Sequence, residues 1–137
     1  MNNVSVKISP SIPKELSLSS NDIVEIVNNS LAKVKPKLTN KLEIEIIFAT
    51  EEEIKCLNLK HRKIDAPTDV LSFPQSQVKK SLINILGSIM ICLPIVFEKE
   101  EEISSVIKHG LLHLLGYDHE TEEASWEEVA RVIDCNL

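Results

Sequence analysis

The chain has few cysteines, no long apolar run and no surplus of positive charge. Its three cysteines include no C-x-x-C pair, which favours a reducing compartment in which they act as small apolar residues. No apolar run reaches the length of a membrane span, and the first residues resemble neither a signal nor a transit peptide. The net charge of −6 argues against coating nucleic acid through an overall field, but it allows a local basic site. We therefore expect a cytoplasmic protein without a membrane segment.

The apolar pattern predicts a compact α+β fold. The 137 residues suit one domain, and because no repeat or long linker divides them we expect that domain to span 1–137. Apolar periodicity predicts the order strand, helix, strand, helix, strand, strand, helix, helix, with a small mixed β-sheet of about four strands and about four helices. The nearly all-apolar segment Ser81–Cys92, followed by Pro94, predicts a strand that is central in the sheet. No nucleotide-binding glycine motif is present.

Several local signals refine this prediction. Thr50 and Glu53 have the spacing of a capping box, which predicts a helix from about Glu51 to Lys60. The glutamate-rich segments 98–102 and 120–128 are interpreted as solvated helix faces and helix starts. Trp126, on the apolar face of the last predicted helix, is interpreted as a core residue rather than a stacking platform.

Three of the four histidines, His109, His113 and His119, stand in one short stretch. A helix would bring His109 and His113 onto neighbouring turns of one face. Gly116 can then adopt the left-handed conformation that ends a helix, so that the chain returns His119 to the same point. Three ring nitrogens leave one tetrahedral position of a zinc ion for water, which is the arrangement of a catalytic site. The alternative is that these histidines are ordinary packed or surface residues.

The spacing also matches the zinc-peptidase pattern H-E-x-x-H-x-x-G-x-x-H, with one departure. In that pattern the glutamate after the first histidine is the general base, and this chain has Gly110 at the position. We therefore expect a metal site without peptidase activity, and we assign no general base.

A second group of polar residues precedes the third predicted strand. Arg62 lies there between Lys60 and Lys63, in what is predicted to be a connecting loop. With the hydroxyls of the strand that follows, including Ser72, such a loop can present a cation to an anionic ligand. The alternative is a solvated turn between a helix and a strand.

Taken together, the two groups resemble a known family. The sequences H-R-x-x-D-x-P-T-D-V-L-S-F-P from His61 and H-G-x-L-H-L-L-G-Y-D-H from His109, with Leu86-Gly87-x-Ile89-x-Ile91 between them, resemble the bacterial YbeY proteins from about Leu42 onward. The resemblance implies a zinc-dependent, single-strand-specific endoribonuclease that matures ribosomal RNA, particularly the 3′ end of the small-subunit RNA, and acts in ribosome quality control. It also implies the small ribosomal subunit as a partner, with a ribosomal protein or a GTPase as a further possibility.

The same resemblance implies roles for individual residues. His109, His113 and His119 would hold one zinc ion, and Arg62 would face it across a cleft. His109 and Arg62 would be catalytic, and Lys60 and Lys63 would join Arg62 in binding the RNA backbone. The family usually has aspartate where this chain has Ser88, and a methionine in the apolar face of the last helix, a space that we expect Trp126 to fill.

The leading hypothesis is therefore hydrolysis of an RNA phosphodiester by zinc-activated water, with Arg62 stabilising charge that develops on the phosphate. Two alternatives stay open. The protein can be a non-catalytic module that binds the ribosome or a protein while a structural zinc holds the last two helices together, or a metal-dependent hydrolase of another substrate.

Overall fold

A computed structural model describes residues 4–34, 41–74, 83–117 and 123–135. These residues form four strands, β1 (Val4–Ser9), β2 (Lys41–Phe48), β3 (Val70–Pro74) and β4 (Ile83–Ile91). They also form five helices, α1 (Ser20–Val34), α2 (Glu51–Arg62), α3 (Leu93–Glu98), α4 (Ile103–Leu114) and α5 (Glu123–Val132). Within these ranges, no helix is long and apolar enough to cross a membrane.

The predicted mixed sheet is confirmed. Its strand order is β1-β2-β4-β3, in which β1 pairs with β2 in parallel and β2 pairs with β4 in parallel. The edge strand β3 pairs with β4 in antiparallel orientation. The prediction that the apolar segment forms an internal strand is also correct, because Leu86 and 89–91 of β4 are all buried.

The helices cover the two faces of this sheet. The larger core lies between one face and the helices α1 and α4. A smaller core on the other face joins α2 to β3 and β4 through Ile54, Leu71 and Met90. We call these the α4 face and the α2 face of the sheet. Because neighbouring residues of a strand point to opposite faces, β2, β3 and β4 contribute to both cores. The apolar side chains of β1 pack against the larger core.

Two helices differ from the sequence prediction: α3 was not predicted, and α2 is longer than expected. The prediction omits α3 because it treats Pro94 only as the end of a strand, whereas proline is also accepted in the first turn of a helix. The capping box of α2 is confirmed: Thr50 Oγ1 accepts the Glu53 N–H at 3.1 Å, and Glu53 Oε1 accepts the Thr50 N–H at 2.9 Å. However, α2 continues to Arg62, so this residue ends a helix instead of lying in a loop.

The chain leaves α2 through a residue that gives no sequence signal for a helix end. Lys63 has a left-handed conformation with φ of 62°, and its N–H bonds to the carbonyl of Leu59 at 3.1 Å. Glycine is the usual residue at such a position, since a side chain makes this conformation unfavourable.

The three cysteines are all free. Cys92 and Cys135 are buried, in agreement with their expected role as small apolar residues, and burial raises the pKa of the Cys92 thiol. Cys56 is exposed on α2 and therefore does not take part in the apolar core. The outward side of a short amphipathic helix accepts such a residue at little cost.

Candidate metal centre

Helix α4 carries His109 and His113, the first two histidines of the predicted metal motif, at the edge of the main core. Val106, Ile107 and Leu111 form its apolar stripe and are almost completely buried against the sheet. His109 and His113 lie beside that stripe and are half-buried. The helix therefore anchors one side in the core and leaves two imidazoles at the border with solvent.

The two imidazoles converge through the same ring atom. The Nε2 atoms of His109 and His113 are 3.2 Å apart, and the ring centroids are 4.8 Å apart at an interplanar angle of 68°. A tetrahedral zinc ion held about 2.0–2.1 Å from two nitrogens sets them roughly 3.3 Å apart. The observed separation, together with imidazole as the donor, fits two ligands of one zinc ion.

The end of α4 has the form that the sequence predicts. Gly116 has φ of 97°, its N–H bonds to the carbonyl of His113 at 3.1 Å, and the N–H of Tyr117 bonds to the carbonyl of Leu112 at 3.0 Å. This is a Schellman motif, and it turns the chain away from the helix axis. His119 lies outside the residues that the structure describes, so its position as the third ligand stays a prediction. Within those residues, no cluster of three potential metal ligands occurs.

Gly110, the residue in place of the peptidase glutamate, packs against the sheet. A Cβ at this position would lie 2.6 Å from Cγ2 of Ile89 on β4. The Gly110 carbonyl also accepts a hydrogen bond from Ser72 Oγ of β3 at 3.0 Å. Ser72 and Ile89 are register partners, so two neighbouring strands meet α4 at this one residue. The sheet therefore leaves little room for a side chain at this position, which gives a physical reason for the glycine.

Trp126 of α5 closes the inner side of the histidine pair. Its ring centroid lies 4.9 Å from that of His109 and 5.0 Å from that of His113. The residue is 4% exposed, which confirms its prediction as a core residue. The sequence prediction did not include its contact with the histidines, since α5 follows α4 only after the segment that contains His119.

The basic residues lie on the other side of the edge strand. Lys60, Arg62 and Lys63 are exposed at the end of α2, on the α2 face. The His61 ring contacts Phe73 of β3 at a centroid distance of 5.1 Å. Ser72 points to the α4 face and contacts the histidine helix. The basic end of α2 and the histidine helix therefore contact β3 from opposite sides. Among the described residues, Arg62 forms no ion pair.

The hydroxyls of Thr68, just before β3, and of Ser72, within β3, have partners within the fold. Thr68 Oγ1 donates to Asp69 Oδ1 at 3.1 Å, and Ser72 donates to Gly110 as described above. The expectation that the Ser72 hydroxyl joins the basic residues in facing a ligand is therefore wrong. Ser72 lies on the α4 face of β3, opposite to the face on which α2 packs. Its hydroxyl contacts α4 instead.

A carboxyl pair at the start of β3 was missed by the sequence analysis. Glu101 is partly buried and hydrogen bonds with Asp69, so the interpretation of this glutamate as part of a solvated face is wrong. Burial, then the hydrogen bond and charge of Asp69, raise the pKa of Glu101 to about 7. The pKa of Asp69 is lowered overall. Burial alone would raise it, but the hydrogen bond with Glu101 and the charge of Lys99 outweigh that effect. Lys99 Nζ lies 3.9 Å from Asp69 Oδ2.

Ser88, where the family usually has aspartate, lies on the α2 face. Its hydroxyl donates to Glu45 Oε1 of β2 at 3.1 Å, and the two residues are register partners. The neighbouring strand thus supplies a carboxylate beside this position. Because Ile89, the next residue, contacts the histidine helix on the α4 face, Ser88 does not support the imidazole pair directly.

Comparison with known proteins gives one consistent result. A sequence model of the family described as Endoribonuclease YbeY matches residues 11–132. The protein of that name from Sulfurimonas denitrificans is 43% identical over 112 residues, which cover 75% of this chain and 78% of the relative. That from Sulfurovum sp. is 38% identical over 129 residues, covering 86% and 87%. The solution structure of TM1509 from Thermotoga maritima is similar with a TM-score of 0.50 and 26% identity, covering 95% of this chain and 87% of that one.

Proposed function

The chain belongs to the YbeY family of endoribonucleases, and on this premise we propose that it processes ribosomal RNA by hydrolysing phosphodiester bonds at a zinc centre. The proposed zinc ligands are His109, His113 and His119. The observation that carries this proposal is the convergence of two Nε2 atoms at 3.2 Å on one edge of the core. Imidazole suits zinc, although nickel, copper and iron accept the same donors.

The chain's own residues would supply binding and orientation. Zinc, when bound, would act as a Lewis acid that polarises a phosphoryl oxygen and lowers the pKa of a water molecule. His109 and His113 hold that ion at the border between core and solvent. Helix α2 and the histidine helix α4 pack on opposite faces of the sheet but both contact the edge strand β3, so in this proposal Arg62 reaches around that edge to the phosphate that is cut or to its neighbour. Lys60 and Lys63 contact the RNA backbone through salt-sensitive charge interactions. Their exposure at the end of α2 supports this role, since a phosphate chain can reach them.

The substrate in this proposal is single-stranded ribosomal RNA, including the 3′ end of the small-subunit RNA. With a net charge of −6, the chain has no overall field that draws it to RNA, so we propose that docking on the small ribosomal subunit brings it to its site. In this proposal the protein acts in the cytoplasm, in the maturation and quality control of ribosomes. A ribosomal protein or a GTPase would serve as the docking partner.

Metal analysis beside an RNA cleavage assay tests the proposal. We expect purified protein to contain about one zinc ion per chain and to cut single-stranded RNA, with activity lost on chelation and restored by zinc. His113→Ala should lose both metal and cleavage. Arg62→Ala should keep the metal but lose cleavage by roughly 10²–10³-fold, as when one charge-stabilising group is removed.

The remaining histidine provides a matched control. His61 lies on α2 against Phe73, and His61→Ala should therefore keep its full metal content. If folded His113→Ala protein, free of contaminating nuclease, cuts RNA as fast as the parent, the proposed centre is not the site of hydrolysis. If Arg62→Ala is fully active, the phosphate contact is assigned to the wrong residue.

A structural role for zinc is the second candidate, and the contact of α5 with the histidines through Trp126 favours it. The two roles differ in what chelation does to folding. A structural zinc contributes to the free energy of folding, so its removal would abolish cooperative unfolding. We expect the metal-free protein to unfold cooperatively instead, because the main core between the sheet and helices α1 and α4 is built from apolar side chains in the part of the chain that the structure describes.

A further inference from the structure

The geometry points to Trp126 as a positioning residue that orients both His109 and His113 for metal binding. This inference rests on the proposed metal centre. It goes beyond the identity of the ligands, because it concerns what holds their rings in place.

The three rings form one closed cluster. The centroid distances are 4.8 Å between the histidines, 4.9 Å from Trp126 to His109 and 5.0 Å from Trp126 to His113. All three fall in the range of favourable aromatic contacts. The indole meets His109 edge to face at 67° and His113 at a tilt of 41°, so one residue restricts both imidazoles in different orientations.

Such a restriction is needed because α4 alone does not set the ring planes. Spacing of four residues brings the two Cβ atoms to one face of the helix. Rotation of each imidazole about χ2 has a broad energy profile, unlike rotation about a bond between two tetrahedral carbons. Nε2 lies on the far side of the ring and off the Cβ–Cγ axis, so a rotation about χ2 moves it away from its partner. A flat wall against both rings removes this freedom and keeps the Nε2 atoms 3.2 Å apart.

The indole can act as a wall because α5 holds it firmly. Trp126 belongs to a small buried cluster with Leu112 of α4 and with Ala130 and Ile133 at the end of α5. Leu112 lies between the two histidines in sequence and is fully buried. Packing of this cluster thus fixes the indole relative to the same helix that carries the histidines.

Replacement of Trp126 should therefore weaken metal binding without removing a ligand. For Trp126→Leu, which keeps an apolar side chain but loses the flat face, we expect metal affinity to fall about 10- to 100-fold, as for other residues that orient ligands. For Trp126→Phe, which keeps an aromatic face, we expect a loss of less than about 3-fold, since the ring contact is preserved.

The control separates orientation from general destabilisation. Ile133 is 2% exposed in the same cluster, but its aliphatic side chain makes no ring contact with the imidazoles. Ile133→Ala should destabilise the fold and leave metal affinity within about 3-fold of the parent, because Trp126 is kept and Leu112 and Ala130 still pack against it. Affinities are measured on metal-free proteins by the visible absorption of added Co²⁺ and by competition for Zn²⁺ with a chromophoric chelator.

A second measurement needs no variant at position 126. Trp126 is the single tryptophan of the chain, so its fluorescence reports on this site alone. Co²⁺ should quench it with the same midpoint as the absorption change, and His113→Ala should abolish the quenching. This measurement keeps the inference testable if Trp126→Leu does not fold.

Either of two results would overturn the inference: a folded Trp126→Leu protein that binds Co²⁺ as tightly as the parent, or bound Co²⁺ that leaves Trp126 fluorescence unchanged. Equal losses in Trp126→Leu and Ile133→Ala would also overturn it, because they would indicate stability rather than orientation. Failure of the proposed function looks different. In that case the metal affinities follow the expected order while the parent protein cuts no RNA in the presence of zinc.

Discussion

Replacing Gly110 with alanine tests how closely α4 must approach the sheet. The added Cβ would lie 2.6, 3.2 and 3.3 Å from three carbons of the Ile89 side chain, where ordinary contact is 3.4–4 Å. Ile89 is fully buried on an internal strand, so neither residue can move aside freely. Overpacking of this kind costs about 1–3 kcal/mol. Alanine regains about 0.5–1 kcal/mol over glycine inside a helix, which leaves a net loss of roughly 1–2 kcal/mol.

A double-mutant cycle assigns that loss to Ile89. We expect Ile89→Ala alone to cost about 2–5 kcal/mol because it leaves a cavity in the core. In that background the clash is gone, so Gly110→Ala should become neutral or stabilise the protein by up to about 1 kcal/mol. The coupling free energy between the two positions should then be about 1–3 kcal/mol.

Urea denaturation of the four proteins measures this cycle. Gly110→Ala alone should lower the melting temperature by about 3–7 °C in a chain of this length. If Gly110→Ala costs the same free energy with isoleucine and with alanine at position 89, the two residues are independent. The close approach of α4 to β4 would then not be the reason for glycine in place of the peptidase base.

Three further predictions concern α2 and the carboxyl pair. Lys63→Gly should stabilise the fold by about 1 kcal/mol, since glycine accepts the left-handed conformation. The same change should lower the slope of log affinity for RNA against log salt concentration by roughly one, because one phosphate contact is lost. An unchanged slope would show that Lys63 does not contact the RNA. Thr50→Ala should cost about 1 kcal/mol by removing the cap of α2, whereas Thr50→Ser should cost much less; equal losses in chemical denaturation would contradict the capping role. For Glu101, whose pKa is raised to about 7, the stabilising contribution is complete below pH 4.5 and is lost as pH rises through 7. Unfolding free energies at pH 5 and pH 8 should therefore differ less in Glu101→Gln, which keeps a neutral donor toward Asp69, than in the parent protein. An equal difference would contradict the raised pKa of Glu101.

Local patterns predict much of the secondary structure and half of the metal centre. The i, i+4 spacing of His109 and His113 depends only on the geometry of a helix, and the structure confirms it with adjoining rings. Gly116 ends that helix as expected, because the left-handed position favours glycine whatever the tertiary fold. The capping box and the internal apolar strand are confirmed for similar reasons: their signals lie within a few residues of the structure that they specify.

Contacts between distant parts of the chain account for what the sequence did not show. The pairing of Asp69 with Glu101 turns an apparently solvated glutamate into a partly buried one, and no local pattern marks it. The contact of Ser72 with Gly110 likewise depends on strand register, which directs a hydroxyl expected at the basic site to the opposite face.

The sequence by itself determined the pairing of His109 with His113, the helix that carries them and the mixed sheet, because hydrogen bonding and apolar periodicity act over a few residues. Only the tertiary structure decided how that pair is supported and separated from the basic residues. Packing of β4 against α4 excludes a side chain at Gly110, and packing of α5 places Trp126 against both imidazoles. The edge strand β3 sets Arg62 and the histidines on opposite faces of the sheet. These arrangements depend on which surfaces meet in three dimensions, and spacing along the chain does not encode that directly.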